Sequence, residues 1–292
     1  MGRPFERTFE VQGRRIAARC WHDPGLPPLL ALHGWLDNAA TFDHLAPLLP
    51  DYHLVAMDFA GHGLSDHRAP GIRYHFVDHV DDVLAVVNAL GWEDLALMGH
   101  SMGAGIATLF SAALPERVRK LVLIEGFGPL TGDPASAPAL LRNALLQKTG
   151  LESAPRVISD LALAVRARMQ GIVPVSEAAA RVLCERGVLA VEEGYVWRTD
   201  RRLRLDSPIR LTEAQVLQYI AAITSPTLLV LGEQGLPFHQ DDLQARIKAH
   251  PQLDVVRLAG GHHLHLDGDV AAVAAAVNRH LADKIDSVTI CQ

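Results

Sequence analysis

An α/β fold, with an open and mostly parallel sheet covered by helices on both faces, is what the 292-residue sequence predicts. Three observations carry that expectation. Short apolar runs alternate with helical patterns along most of the chain. Several runs are apolar at consecutive positions, as strands buried on both faces require. And Gly99-x-Ser101-x-Gly103 falls between such a run and a helix, the strand-to-helix turn that lifts a serine hydroxyl out of a sheet.

Taken in order, Phe5 to Val11 and Arg14 to Cys20 form a predicted hairpin turning at Gln12-Gly13, and Leu29 to Leu32 is a short apolar strand ending at His33-Gly34. A helical pattern over Thr41 to Leu49 follows, then a strand from His53 to Phe59 and the glycine-rich loop Gly61-His62-Gly63. In the next helix Phe76, Val80, Val83, Val87 and Leu90 share a face, and Gly91 is its stop. Leu95 to Met98 is the strand before Ser101, Met102 to Ala113 the helix after it, and Val118 to Ile124 another strand. From about Gly128 to Ala222 the rhythm changes to helical patterns without a long apolar strand: Ala137 to Lys148, Ala154 to Gln170, Ser176 to Arg186 and Thr212 to Ala222. This is an insertion, so the core is expected over 1–127 and 223–292 with a helical cap over 128–222. The sheet resumes with Thr227 to Leu231, a helix Asp241 to His250 and a strand Leu253 to Leu258; a last helix runs from about Gly268. Asp286 to Gln292 carry no signal.

Composition narrows the class further. Hydrophobic residues make up 49% and charged residues 21%, a globular profile. The 27 basic and 33 acidic residues give a net charge of −6, with no clustered positive field to grip nucleic acid. Apolar runs fall short of the roughly 20 residues that cross a bilayer, and no secretory signal is evident, so a cytoplasmic protein without a stable membrane anchor is expected, as monomer or homodimer. Cys20, Cys184 and Cys291 are widely spaced and form neither a disulfide framework nor a metal pattern.

A serine hydroxyl needs a base, a group that orients the base, and donors for the developing oxyanion. Ser101 is the candidate nucleophile. The glycines at 99, 103 and 105 do not make a dinucleotide fingerprint, no phosphate loop is present, and His62 to His67 lacks the spacing of a metallohydrolase cluster, so neither a cofactor nor a metal is expected. Glycine at position 34 lets the backbone approach the site, which makes the Trp35 amide one oxyanion donor; the Met102 amide, at a helix N-terminus, is the other. The base must follow the last strand, in Gly260-Gly261-His262-His263-Leu264-His265: His262 is the choice, His263 the alternative, and His265 a pocket or helix-side residue.

The chain resembles the serine hydrolase-like branch of the α/β-hydrolase superfamily. The resemblance rests on His33-Gly34-Trp35-Leu36-Asp37-Asn38-Ala39, Met57-Asp58-Phe59-Ala60-Gly61-His62-Gly63-Leu64-Ser65, Gly99-His100-Ser101-Met102-Gly103 and Gly261-His262. It implies the α/β-hydrolase fold, with eight strands, a helical cap between strands six and seven, no cofactor, and hydrolysis of an ester-like bond. One departure concerns the acid. The superfamily commonly keeps Asp in the turn after strand seven, where this chain has Gly232-Glu233-Gln234-Gly235-Leu236. Some relatives of the fold place the acid at the end of strand six, where Glu125 stands. Glu125 is therefore the expected third member, with Glu233, Asp241 and Asp242 as rivals. The leading expectation is a carboxylic-ester hydrolase of the esterase or lipase type, acting on a small molecule with an apolar acyl or alcohol part. A thioesterase, an amidase or a carbon-carbon bond hydrolase would use the same triad, and a non-catalytic binding protein would need no triad.

Overall fold

The computed structural model describes residues 3–147, 156–236 and 240–282. Eight strands form one sheet: β1 (Phe5–Val11), β2 (Arg14–Trp21), β3 (Pro28–Leu32), β4 (His53–Met57), β5 (Leu95–His100), β6 (Val118–Ile124), β9 (Thr227–Gln234) and β10 (Leu253–Gly261). Their order across the sheet is β1-β2-β4-β3-β5-β6-β9-β10. Only β1 with β2 and β2 with β4 run antiparallel; the other neighbours are parallel. β3 lies between β4 and β5, so the winding reverses there. The loops leaving the carboxyl ends of β3 and β5 diverge at that point and open a crevice.

The apolar runs explain the two layers. Alternate residues of a strand point to opposite faces, and here both sets are apolar. Leu30, Leu32, Leu95, Leu97, Leu121, Leu123, Leu229 and Leu231 enter one core, which includes buried residues of α1 (Asp78–Leu90), α2 (Met102–Ala113) and α6 (Glu213–Ala222). Leu29, Ala31, Ala96, Met98, Val122, Ile124, Leu228 and Val230 enter the other, against α8 (Val270–Leu281). Gly91 closes α1 in the left-handed region at φ 71°. Helix α7 (Gln240–Ala249) joins β9 to β10.

Thr41 to Leu49, expected as one helix, is instead two 3-10 turns, Ala39–Phe42 and Ala46–Leu48. Asn38 caps the first by accepting from the Ala40 amide, and Pro47 has no amide to carry a longer helix onward. Phe76 falls before α1 rather than within it, although it packs on the same core.

Between β6 and β9 lie α3 (Ala137–Leu146), α4 (Leu161–Met169), α5 (Glu177–Gly187), a hairpin β7 (Val188–Val191) and β8 (Gly194–Trp197), and α6. The hairpin was not legible because its strands have four residues each, and it turns at Glu192-Glu193. Helix α4 begins later than expected: Asp160 is extended and its side chain caps the Leu163 amide at 2.8 Å. Ala154 at the start of that expected helix, Lys148 at the end of the previous one, and Asp286 to Gln292 lie outside the described residues. Buried Ala164, Val165, Ala180, Leu183 and Cys184 give α4 and α5 a small core of their own, with Tyr195 packed on it. Helix α6, by contrast, buries Val216 and Ile220 in the main core beside α2. Within 128–222, α6 therefore packs on the main core while α4 and α5 carry a small one of their own.

Candidate active site

Ser101 follows β5 with φ 53° and ψ −113°, a conformation that L-residues rarely adopt. Two close approaches hold it there. A Cβ on Gly99 would overlap the Gly103 carbonyl, and one on Gly103 would overlap the Leu32 carbonyl, so both positions accept only glycine. The Ser101 amide donates to the Ile124 carbonyl at 2.9 Å, and its own carbonyl accepts from Ala104 and Gly105 as α2 begins. The hydroxyl therefore stands at the N-terminus of α2. Among the described residues it makes no hydrogen bond.

His262 lies just beyond β10 and is buried, with Nδ1 3.0 Å from Glu125 Oε2. Glu125 is also buried and in the left-handed region, at φ 54°. Its Oε1 accepts from the Gly232 amide at 2.6 Å and its Oε2 from the Leu236 amide at 3.1 Å. The carboxylate at the end of β6 thus reaches across to the turn after β9 and fills it: a Cβ on Gly235 would overlap both carboxylate oxygens. With Glu125 accepting, His262 Nδ1 carries the hydrogen and Nε2 is left to accept a proton. The rivals for the acid are elsewhere. Glu233 and Asp241 are exposed, and neither they nor Asp242 pair with His262.

The loop after β3 is held by two buried histidines. His33 Nδ1 donates to the Gly34 carbonyl at 2.7 Å, and its Nε2 accepts from the Phe59 amide at 3.0 Å. His62 Nδ1 donates to Ala60, and its Nε2 accepts from the Leu36 amide at 3.3 Å. Burial pushes both rings below the usual histidine range, so they act as neutral struts. The loop Gly61-His62-Gly63 expected after the strand is built of tight turns. The Trp35 indole N-H donates to the Leu203 carbonyl at 3.0 Å, in the segment between β8 and α6. The amides of Trp35 and Met102 donate to no protein group among the described residues.

A second buried layer lies beneath His262. The rings of His263 and His265 and that of His100 cluster with centroids 4.2 to 6.1 Å apart, His100 tilted against the other two. Asp37 Oδ2 is 2.9 Å from His263 Nε2, and Asp37 Oδ1 is 2.9 Å from Arg168 of α4. Burial alone would raise the Asp37 carboxyl, yet His263 and Arg168 hold it well below the carboxylate range. Asp37, His100 and His263 each bring a donor atom within 4.8 Å of the others, a set a metal ion could use. The Arg168 guanidinium, 3.2 Å from His263 Nε2, already brings a cation to that place. Sequence reasoning did not single out Asp37, His100 and Arg168, nor Asp58, which joins the Ala39 and Leu64 amides to Arg186 of α5. Asp37 and Asp58 stand inside the motifs that carried the resemblance, and that was the signal available. Burial pushes the Cys20 and Cys184 thiols up to about 12 and about 11, which leaves them protonated and unreactive; Cys291 is outside the described residues.

A strained serine on a strand-to-helix turn, a histidine after the last strand and a carboxylate that orients it define the class of α/β hydrolases with a serine nucleophile. The alpha/beta hydrolase fold family model matches residues 27–269. A serine hydrolase-like protein of Danio rerio is 33% identical over 91% of this chain and 85% of its own. Among solved structures, a hypothetical protein of Pseudomonas aeruginosa superposes with a TM-score of 0.88 at 44% identity, covering 94% of this chain and 97% of the other. A thioesterase domain from the curacin biosynthetic pathway superposes with a TM-score of 0.85 at 29% identity, covering 94% and 99%. The chain belongs to the α/β-hydrolase family, in its serine hydrolase-like branch.

Proposed function

We propose that the chain hydrolyses a carboxylic ester of a small molecule through an acyl-enzyme on Ser101. The observation that carries this reading is the buried pair of His262 and Glu125, which leaves Nε2 as the proton acceptor beside the elbow. His262 Nε2 takes the Ser101 proton as Oγ attacks the ester carbonyl, and the amides of Trp35 and Met102 receive the negative oxygen. The tetrahedral intermediate collapses as imidazolium returns the proton to the leaving alcohol. Water then repeats the sequence on the acyl-enzyme and frees Ser101. Residues 128–222 are read as the cap, and their apolar content supports an apolar acyl or alcohol part. Trp197, at the end of β8 and partly exposed, is the large apolar side chain of this segment assigned to that pocket, whereas Tyr195 packs on the α4 and α5 core and serves the cap's own stability.

Thioester cleavage is the second reading, favoured by the likeness to the thioesterase domain. A panel of p-nitrophenyl esters and acyl-thioesters of graded length separates the two. Ser101→Ala should keep the fold and lose nearly all turnover, with roughly 10³-fold acceleration over water remaining from binding and oxyanion donors. It should also lose labelling by a fluorophosphonate probe. Labelling retained at the wild-type rate would end the serine-nucleophile reading.

A further inference from the structure

His100, the residue between Gly99 and Ser101, makes a bond that the steps above do not use. Its side chain is 1% exposed, and Nε2 is 2.9 Å from the main-chain carbonyl of His262. A carbonyl only accepts, so Nε2 carries the ring hydrogen, and Nδ1, which has no hydrogen-bond partner, holds a lone pair. Among the described residues no main-chain amide donates to the His262 carbonyl. The His262 ring is fixed at Nδ1 by Glu125 and the His262 peptide by His100, so the base is held at two points.

We propose that His100 is a positioning residue, which ties the peptide of the base His262 to the strand of the nucleophile Ser101. The proposal rests on the Ser101 and His262 reading of the function. Its physical content is the length of the path between the two reacting groups. Without the bond, the Ser101 to His262 spacing depends on how β10 and its following turn sit at the far edge of the sheet, three strands from β5. With it, the spacing is set by one hydrogen bond and one peptide unit, because His100 is the covalent neighbour of Ser101. The ring is also wedged from the other sides. The His262 and His263 rings lie 4.7 and 4.9 Å away by centroid, and a Cβ on Gly34 would come within 2.9 Å of Nδ1. Gly34 precedes Trp35, so one imidazole touches the loop of an oxyanion donor on one edge and the base on the other. His263 is itself held by Asp37 and through it by Arg168, which keeps the cluster from sliding.

The test compares His100→Leu, similar in bulk without a donor, with His100→Gln, whose terminal amide nitrogen reaches about as far as Nε2. Each is assayed for kcat and KM on the preferred ester and for the rate of fluorophosphonate labelling, with Ser101→Ala as the unlabelled control. His100→Leu should lower kcat and the labelling rate about 10²-fold, the cost of roughly 1 Å of misplacement, with KM nearly unchanged. His100→Gln should recover most of that loss. Wild-type kcat in His100→Leu, or a loss in His100→Gln as deep as in His100→Leu, would overturn the proposal. Should His100→Leu not fold, His100→Asn takes its place, since its amide is too short for the carbonyl: loss with Asn and retention with Gln support the role, and equal activity refutes it. A wild-type protein that the probe does not label at Ser101 fails at a different point, removing the functional reading and this proposal with it.

Discussion

At the scale of single residues, the Glu125 carboxylate accepts from His262 Nδ1, from the buried Gly232 amide and from the part-buried Leu236 amide. Glu125→Gln should therefore lower kcat about 10³- to 10⁴-fold, as loss of the orienting acid does in such triads, while Glu233→Gln and Asp241→Asn leave it near wild type. Full activity in Glu125→Gln would place the acid elsewhere. Moving the carboxylate is a sharper experiment. The backbone at Gly235 is not in the left-handed region; the obstacle to aspartate there is the Glu125 side chain itself. Gly235→Asp should thus restore part of the activity when combined with Glu125→Ala, where the space is vacant, and fail with Glu125→Gln, where the amide still fills it. Equal rescue in both backgrounds would contradict the overlap. Thermal unfolding of each variant separates lost catalysis from the cost of leaving the buried Gly232 amide without an acceptor, about 1–3 kcal/mol.

Elements show what the sequence could and could not tell. The bounds of α2 and β6 were legible to the residue because an apolar strand, two glycines and Pro115 mark them. The order of Ser101, Glu125 and His262 was legible because each follows a strand, and parallel strands deliver their carboxyl ends to one edge. The hairpin of β7 and β8 was not, since four-residue strands carry too short a pattern, and neither was the cluster of His100 with His263 and His265, which joins segments far apart in the chain. The same holds for the tie between α5 and the core: Arg186, buried, reaches Asp58, itself fully buried, at 2.9 Å. Removing one partner leaves a charge without its counter-ion. Arg186→Ala should destabilise the protein by about 3–5 kcal/mol, measured by urea unfolding, and Arg186→Met with Asp58→Asn should recover part of the loss. A shift under about 1 kcal/mol would show that the Ala39 and Leu64 amides suffice to satisfy Asp58.

For the molecule as a whole, buried neutral histidines make stability depend on pH. Burial pushes His33, His62, His100 and His265 below the usual range, the last three with further help from neighbouring rings. The unfolded chain takes up a proton at each near pH 6.5, and the folded protein does not. Below that pH the unfolded state binds more protons, so stability present above about 6.5 is lost as pH falls, by up to about 1.4 kcal/mol per histidine per pH unit. Asp37 works in another window: held low, it contributes above its unfolded value and loses that contribution only in stronger acid. The urea midpoint should therefore drop between pH 7.5 and 5.5. An unchanged midpoint would mean that the rings gain protons without leaving their places.

The overlap between Glu125 and a side chain at position 235 also constrains ancestry. A lineage passing from the common arrangement, with its acid in the turn after β9, to this one meets a conflict if both carboxylates are present, because as placed here they would share one space with the same charge and one of them has to swing aside. A glycine in that turn relieves the conflict, and it is the mark to look for in members of the superfamily whose acid stands at the end of the sixth strand.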